Sequence, residues 1–254
     1  MSDAPVLERA RTALARIIGE QDLADVDVSV LVKTLTPEEA IGSPGRRDFP
    51  IVIGRERVIE AKVLGARAHA FTDSPTEFVG KLGEILDLPL MSSRERAVFV
   101  ATLNAVLRHV GRAGQTLHCR DDEPERCAEE ICRHILERWG RVRVGLIGRN
   151  PAIAERMSQT FGAESIAITD LDEANVGKRE FATEIWDGNA KTAELIRRSD
   201  LTLVTGTTLV NGTFDGIWEC LQEDGRDYLV YGVTGAGVCQ LLGLNRICPF
   251  GRDE

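Results

Sequence analysis

The chain has 254 residues, with 43% hydrophobic and 28% charged, an ordinary globular balance that excludes wholesale disorder and fibrous repeats. Lys and Arg number 31 against 40 Asp and Glu, a net charge of −9, which argues against nucleic acid as the main partner. The length suffices for two modest domains.

The N-terminal stretch mixes Glu8, Arg9, Arg11 and Arg16 into an apolar pattern. It reads as an amphipathic helix over 5–19, not a signal peptide. Residues 26–32 alternate like a half-buried strand. The turn formers at 41–48 predict a loop, and 49–54 and 58–64 read as two further strands of an antiparallel meander. A loop over 68–75 and a helix over 76–86 follow. The segment 93–110 predicts a bridging helix with Ser92 or Ser93 as its cap and Asn104 amid its apolar stretch. Another helix runs over 124–139.

From there the rhythm becomes strand, helix, strand. Strands are expected at 141–148, at 165–169 with Asp170 at its end, at 201–204 and at 228–233. Helices are expected at 151–161 and 190–198. This spacing predicts a doubly wound parallel sheet. The division is residues 1–92, an α+β domain, and 93–254, an α/β domain that begins with bridging helices over 93–140. No segment is long and apolar enough to span a membrane. The six cysteines and the absence of an export signal predict reduced thiols in a cytoplasm.

In an open parallel sheet, ligands bind beyond the carboxyl ends of the strands. Three loops there stand out. Gly148-Arg149-Asn150-Pro151 could seat an anion on a helix N-terminus, with Asp170 placed 22 residues after Gly148 where a ribose-binding acid would be. It lacks the third glycine of the dinucleotide fingerprint. The run 205–215, which includes Thr207, Thr208, Asn211 and Thr213, can offer hydroxyl, amide and backbone donors to a polar ligand. Residues 232–237 read as a close backbone approach to the same ligand.

The first half contributes a local excess of positive charge. Between residues 41 and 70, Arg46, Arg47, Arg55, Arg57, Lys62 and Arg67 outnumber Asp48, Glu56 and Glu60. Facing the threonine-rich loop, such a patch would favour an anionic ligand. His69 and Asp73 flank Phe71-Thr72, and His69, Asp73 and Glu60 are the candidate acid–base groups. His118-Cys119, Cys127, Cys132 and His134 match no standard zinc spacing. Cys119 and Cys127 bracket an acidic loop and are the candidate ligands for a soft metal. Cys132 and Cys220 read as buried thiols, and Cys239 and Cys248 fall near sheet ends.

Residues 45–50 (Gly-Arg-Arg-Asp-Phe-Pro), 70–75 (Ala-Phe-Thr-Asp-Ser-Pro), 146–151 (Leu-Ile-Gly-Arg-Asn-Pro), 205–213 (Thr-Gly-Thr-Thr-Leu-Val-Asn-Gly-Thr) and 248–251 (Cys-Pro-Phe-Gly) together resemble a family of unknown function. It is labelled for heavy-metal chelation or for its Rossmann-like domain. The resemblance implies an enolase-N-terminal-like α+β domain before a Rossmann-like domain, with an active site in the cleft between them. It also implies metal chelation or the metabolism of a small heterocycle.

The reading carried forward is a cleft that binds a small polar or anionic ligand: a heavy metal, a metal chelate or a pterin-like heterocycle. Arg46, Asp48, Phe71, Thr72 and Asp73 would face Gly148, Asn150, Thr207, Thr208, Asn211 and Thr213. One alternative is an enzyme with a nucleotide cofactor, NAD(P) or S-adenosylmethionine, at Gly148 and Asp170. The other is a cysteine-based metal-handling protein. The cofactor is open, a soft transition metal being one candidate, and neither catalysis nor a homodimer is fixed by the sequence.

Overall fold

Apolar alternation in the first half produces strands that cross and return. The computed structural model describes residues 4–21, 23 and 29–254. Helix α1 (Val6–Glu20) precedes β1 (Ser29–Leu35), α2 (Pro37–Ile41), β2 (Arg57–Val63), β3 (Ala66–Thr72), β4 (Phe78–Lys81), α3 (Leu82–Leu86) and α4 (Ser93–His109). The four strands form an antiparallel sheet in the order β3-β2-β1-β4. Leu64 and Gly65 join β2 to β3 with φ of 49° and 87°, the paired positive angles of a tight hairpin turn that suits the strand twist.

The second half runs α5 (Glu123–Trp139), β5 (Val144–Ile147), α6 (Pro151–Phe161), β6 (Ile166–Asp170), β7 (Arg179–Glu180), β8 (Thr183–Asp187), α7 (Gly188–Arg198), β9 (Leu201–Thr205), α8 (Thr207–Asn211), α9 (Phe214–Glu223), β10 (Asp227–Tyr231), α10 (Ala236–Leu242) and β11 (Arg246–Ile247). Its sheet has the order β11-β10-β9-β5-β6-β8-β7, parallel except for β7. Counted in chain order, the parallel strands lie 6-5-4-1-2-3, so the direction of winding reverses between β5 and β9. Among the described residues, no helix is long and apolar enough to cross a membrane.

Helix α4 holds the halves together. Every residue from Ala97 to Leu107 is buried, as expected of a helix that is apolar around its whole circumference. One side packs on β2 and β3, the other on α8 and α10. Small residues make that approach close: Ala61, Ala68 and Ala70 are wholly buried on the sheet, and a Cβ on Gly237 would meet Leu103 at 2.3 Å.

Several elements differ from the sequence reading. Residues 49–54 form successive turns, not a strand: the Val52 and Ile53 N–H groups both bond to the Phe49 carbonyl, and Pro50 brings no donor to a ladder. The segment 68–72 is strand β3, not loop, because its alanines are the small residues that fit under α4. The stretch 76–86 divides into β4 and α3. Short helices α8, α9 and α10 occupy regions read as loop or left unassigned, and β8 was not anticipated. The start of the strand expected at 26–32 falls on residues 26–28, outside the described residues.

Candidate functional site

A cleft of about 770 Å³ opens where the carboxyl ends of β5, β6, β9 and β10 face the end of β3 and the 49–56 turns. It lies at the reversal of winding, where doubly wound sheets leave a crevice. Its floor is held by backbone contact between two loops. A Cβ on Gly206 would stand 2.7 Å from the Gly235 nitrogen, so the glycines after β9 and β10 serve each other. Gly148 is fixed in the same manner: its φ is +84°, and a Cβ there would meet Thr205 Cγ2 at 2.5 Å. Tyr231 donates its hydroxyl to the Gly148 carbonyl at 2.8 Å, tying the same corner to β10.

The first-half wall is pinned to this floor by polar groups. The Phe71 N–H donates to Thr234 Oγ1 at 3.0 Å. Asn104, wholly buried on α4, accepts the Gly237 N–H at 2.7 Å and donates to the carbonyls of His69, Val233 and Thr234. Arg96 on α4 donates to the Val210 carbonyl at the end of α8.

Of the residues expected at the site, Asp73, Phe71, Gly148, Asn150, Asp170, Thr207, Thr208, Asn211, Thr213, Cys119 and Cys127 line this cleft. The run 205–213 spends part of its hydrogen-bonding capacity on itself. Thr208 Oγ1 donates to the Thr205 carbonyl, and Asn211 Oδ1 accepts both the N–H and the hydroxyl of Thr213. The Thr205 hydroxyl is spent on Thr207, so the Thr207 hydroxyl and the Asn211 amide nitrogen are the donors that the run leaves toward the cleft.

The structure does not bring Glu60, His69 and Thr72 to the cleft. Glu60 and His69 are buried 3.4 Å apart beneath it, with Arg67 on the Glu60 carboxylate at 2.6 Å. Burial alone would raise the Glu60 carboxyl, but hydrogen bonds from His69 and Arg67 outweigh it and bring it down to about 2. His69 Nδ1 accepts the His118 N–H, so this buried pair supports the strip that carries His118 and Cys119. Thr72 Oγ1 caps a turn by accepting the Ser74 N–H.

Arg46 and Asp48 lie in a separate, shallower groove and pair with each other, with Arg46 also on Glu155. Arg55 is spent on Asp172 and Arg67 on Glu60. Of the six basic residues read as a patch, Arg46, Arg55 and Arg67 are held in ion pairs, and Arg55, so paired, is the one among them that lines the cleft.

Carboxyls, instead, dominate the charge of the cleft. Glu56, which the sequence reading passed over as part of a tight connection, lines it with Asp73 and Asp170. Burial, then the charges of Asp170 and Asp73, push the Glu56 carboxyl up to about 7. No carboxylate pattern in the sequence marks Glu56, since its neighbours in the cleft are 17 and 114 residues away.

Thiols form the other end. Cys119, Cys127 and Cys248 all line the cleft, with His118 beside them. Interaction between the two thiols raises that of Cys119 and lowers that of Cys127. Cys248 lies within electrostatic reach of both, and burial pushes its thiol up to about 11. His118 Nδ1 is 3.8 Å from the Cys119 sulfur, and its ring meets Phe71 at 5.0 Å. Among the described residues, no three His, Cys, Asp or Glu side chains converge closely enough to hold an ion unaided.

The seat for a dinucleotide is largely filled by the chain itself. Pro151 opens α6 without an N–H, and Asn150 Oδ1 takes the Ile153 N–H at 3.1 Å. Asp170 accepts the N–H groups of Arg149 and Asp172, both at 2.7 Å, and so braces the turn.

Residues 132–240 match the sequence model of the DUF364 family, described as "Putative heavy-metal chelation". DUF364 is thus the family that this chain resembles, over that segment. Among solved structures, the fold is similar to that of a DUF364-family protein of unknown function from Pyrococcus horikoshii. The identity is 14%, the match covers 91% of this chain and 80% of that one, and the TM-score is 0.53. A second DUF364-family protein of unknown function, from Desulfitobacterium hafniense, is 11% identical over 73% of this chain and 72% of its own, with a TM-score of 0.50. No curated protein matches the chain. The family segment includes the floor of the cleft but not Glu56, Asp73, Cys119, Cys127 or Cys248.

Proposed function

We propose that the chain binds a small metal-bearing ligand, a heavy-metal chelate, in the cleft between its two domains, residues 1–92 and 93–254. The observation that supports this reading is that carboxyls (Glu56, Asp73, Asp170) and thiols (Cys119, Cys127, Cys248) line one cleft. Together they favour a cationic or neutral ligand over the anionic one that an unpaired basic patch would have attracted. Because no three such side chains converge on one point, a bare ion would lack ligands, and a chelate brings its own. The description of the family model agrees with this reading. Thr207 and Asn211 orient the organic part through hydroxyl and amide donors, and Phe71 with His118 offers an aromatic flank. The reduced thiols that this chemistry needs suit a cytoplasmic setting.

The test is purification without oxygen, followed by native and denaturing mass spectrometry. A discrete mass lost on denaturation, with a metal isotope pattern and organic remainder, supports the reading. Asp73→Asn and the pair Thr207→Ala, Asn211→Ala should each lower its occupancy while the chain stays folded. Retention of that mass by both variants, or a nucleotide in its place, would count against it.

A further inference from the structure

Two of the basic residues in the first and second halves meet no acid. They stand on a shallow groove of about 560 Å³ beside the cleft, whose charged lining is Arg46, Arg47, Asp48, Arg149, Lys178 and Glu180. The floor of that groove is fixed. Arg149, only 8% exposed, donates from Nε to Glu180 at 2.7 Å and from Nη1 to the Asp48 carbonyl at 3.3 Å. Arg46 holds the carboxylates of Asp48 and Glu155. Three carboxylates are thus engaged by two arginines. Among the described residues, no hydrogen bond or ion pair engages the side chain of Arg47 or of Lys178, and both are exposed.

Four cations therefore share the groove with three carboxylates, a local positive excess in a chain of net charge −9. The two free side chains carry donors and no acceptor, and the planar fork of arginine matches a carboxylate or a phosphate in two parallel hydrogen bonds. Arg47 comes from the first domain and Lys178 from the second, in the segment that leads into β7.

The groove opens onto the cleft, since Ile53, Arg149 and Asn175 line both. The charge changes sign across that border. Glu56, Asp73 and Asp170 line the cleft, whereas beyond Arg149 the unengaged charges are positive. A ligand that spans the two is matched by opposite charges at its two ends.

We infer that Arg47 and Lys178 bind an anionic arm, a carboxylate or a phosphate, of the ligand whose metal-bearing part lies in the cleft. The inference rests on the chelate reading and adds the class of the organic part: it ends in an anion and enters metal first. The basic segment noted in the sequence thereby acts on one end of the ligand, outside the cleft and not within it.

The experiment titrates the full chain with inorganic phosphate and, separately, with acetate, at low ionic strength held constant with chloride. Binding is followed by NMR at the backbone and side-chain N–H signals of Arg47, Arg149 and Lys178. Native mass spectrometry of the anaerobically purified protein runs beside it. Expected are saturable shifts with at least one of the two anions, the tighter of which names the arm. The pair Arg47→Ala, Lys178→Ala should weaken that anion about 10-fold, as loss of two exposed charge contacts would, and should lower the occupancy of the metal-bearing mass. The pair Lys62→Ala, Arg94→Ala removes the same charge from exposed positions outside the groove and should change neither. Both variants leave the hydrogen bonds of the floor in place, so their urea midpoints should match the parent.

Absence of saturable shifts with both anions, or an equal weakening in the two variants, overturns the inference. So does a metal-bearing mass that the Arg47→Ala, Lys178→Ala protein keeps at parental occupancy. If that mass is kept and the anions fail to bind, the anionic arm falls and the chelate reading stands. If the anions bind the groove while no metal-bearing mass is found, the anion site stands and the chelate reading falls.

Discussion

Asn104 Oδ1 accepts the Gly237 N–H at 2.7 Å in a place where neither group can reach water. Its amide nitrogen serves three carbonyls, of His69, Val233 and Thr234. One side chain on α4 thereby binds β3 to the loop after β10. Asn104→Leu keeps the volume but orphans a buried N–H and three carbonyls. It is expected to lower unfolding stability by ~2–5 kcal/mol, measured from the urea midpoint. An unchanged midpoint would mean that the amide holds nothing.

Glu56 should make the cleft sensitive to pH near neutrality. Its folded pKa, about 7, lies above the usual 4.5, so its contribution to stability is present at low pH and lost as pH rises through about 7. Glu56→Gln is therefore expected to raise the melting temperature above pH 7 and to change it little below pH 5. The same substitution should remove any rise in ligand occupancy between pH 6 and 8. Equal melting temperatures for both forms at pH 8 would show that the carboxyl is not held in a desolvated site.

His118 in the cleft lining and the His69–Glu60 pair beneath it act in the opposite direction. Burial brings His118 down to about 4, against the hydrogen bond to the Cys119 carbonyl, and His69 is lowered by burial as well. Groups lowered on folding add stability that is present above their unfolded pKa and lost as pH falls. For His118 that loss runs from about 6.5 to about 4, and for Glu60 from about 4.5 to about 2. Urea midpoints should fall steadily from pH 7 to pH 4, and His118→Asn should flatten that fall. A variant that tracks the parent at every pH would exclude His118 as a source.

Gly148 and Gly206 test the floor. Gly148→Ala combines a φ of +84° with a 2.5 Å clash on Thr205, and Gly206→Ala drives a methyl against the Gly235 nitrogen at 2.7 Å. Each should cost ~2–4 kcal/mol by thermal or chemical unfolding. Gly216→Ala, at a helical glycine with open space around it, is the control and should be neutral or slightly stabilising.

Where local pattern decides the structure, the sequence was legible. Helix α6 begins at Pro151 and ends at Phe161 as capping chemistry requires, and the rhythm of strand and helix after residue 140 implied the parallel sheet. Where packing decides, it was not. The alanines of β3 carry no strand signal, and only the nearness of α4 makes them fit. Phe49 to Gly54 has β-type residues, but Pro50 cannot join a ladder. The threonine-rich run and Asp73 were visible as loop chemistry at strand ends. Cys248 was visible as a thiol near a sheet end, and Glu56 was not, because folding alone brings it to Asp73 and Asp170. The arginines misled for the same reason: a sequence shows charges without showing which acids they meet.

The bond from Asn104 to Gly237 and the contact of Gly206 with Gly235 bear on how a guest is chosen. With the floor and one wall locked to the same central helix, the gap between them is set before any guest arrives. For the ligand proposed above, such a cleft would act as a gauge and not a clamp, rejecting by size and by the placement of its donors.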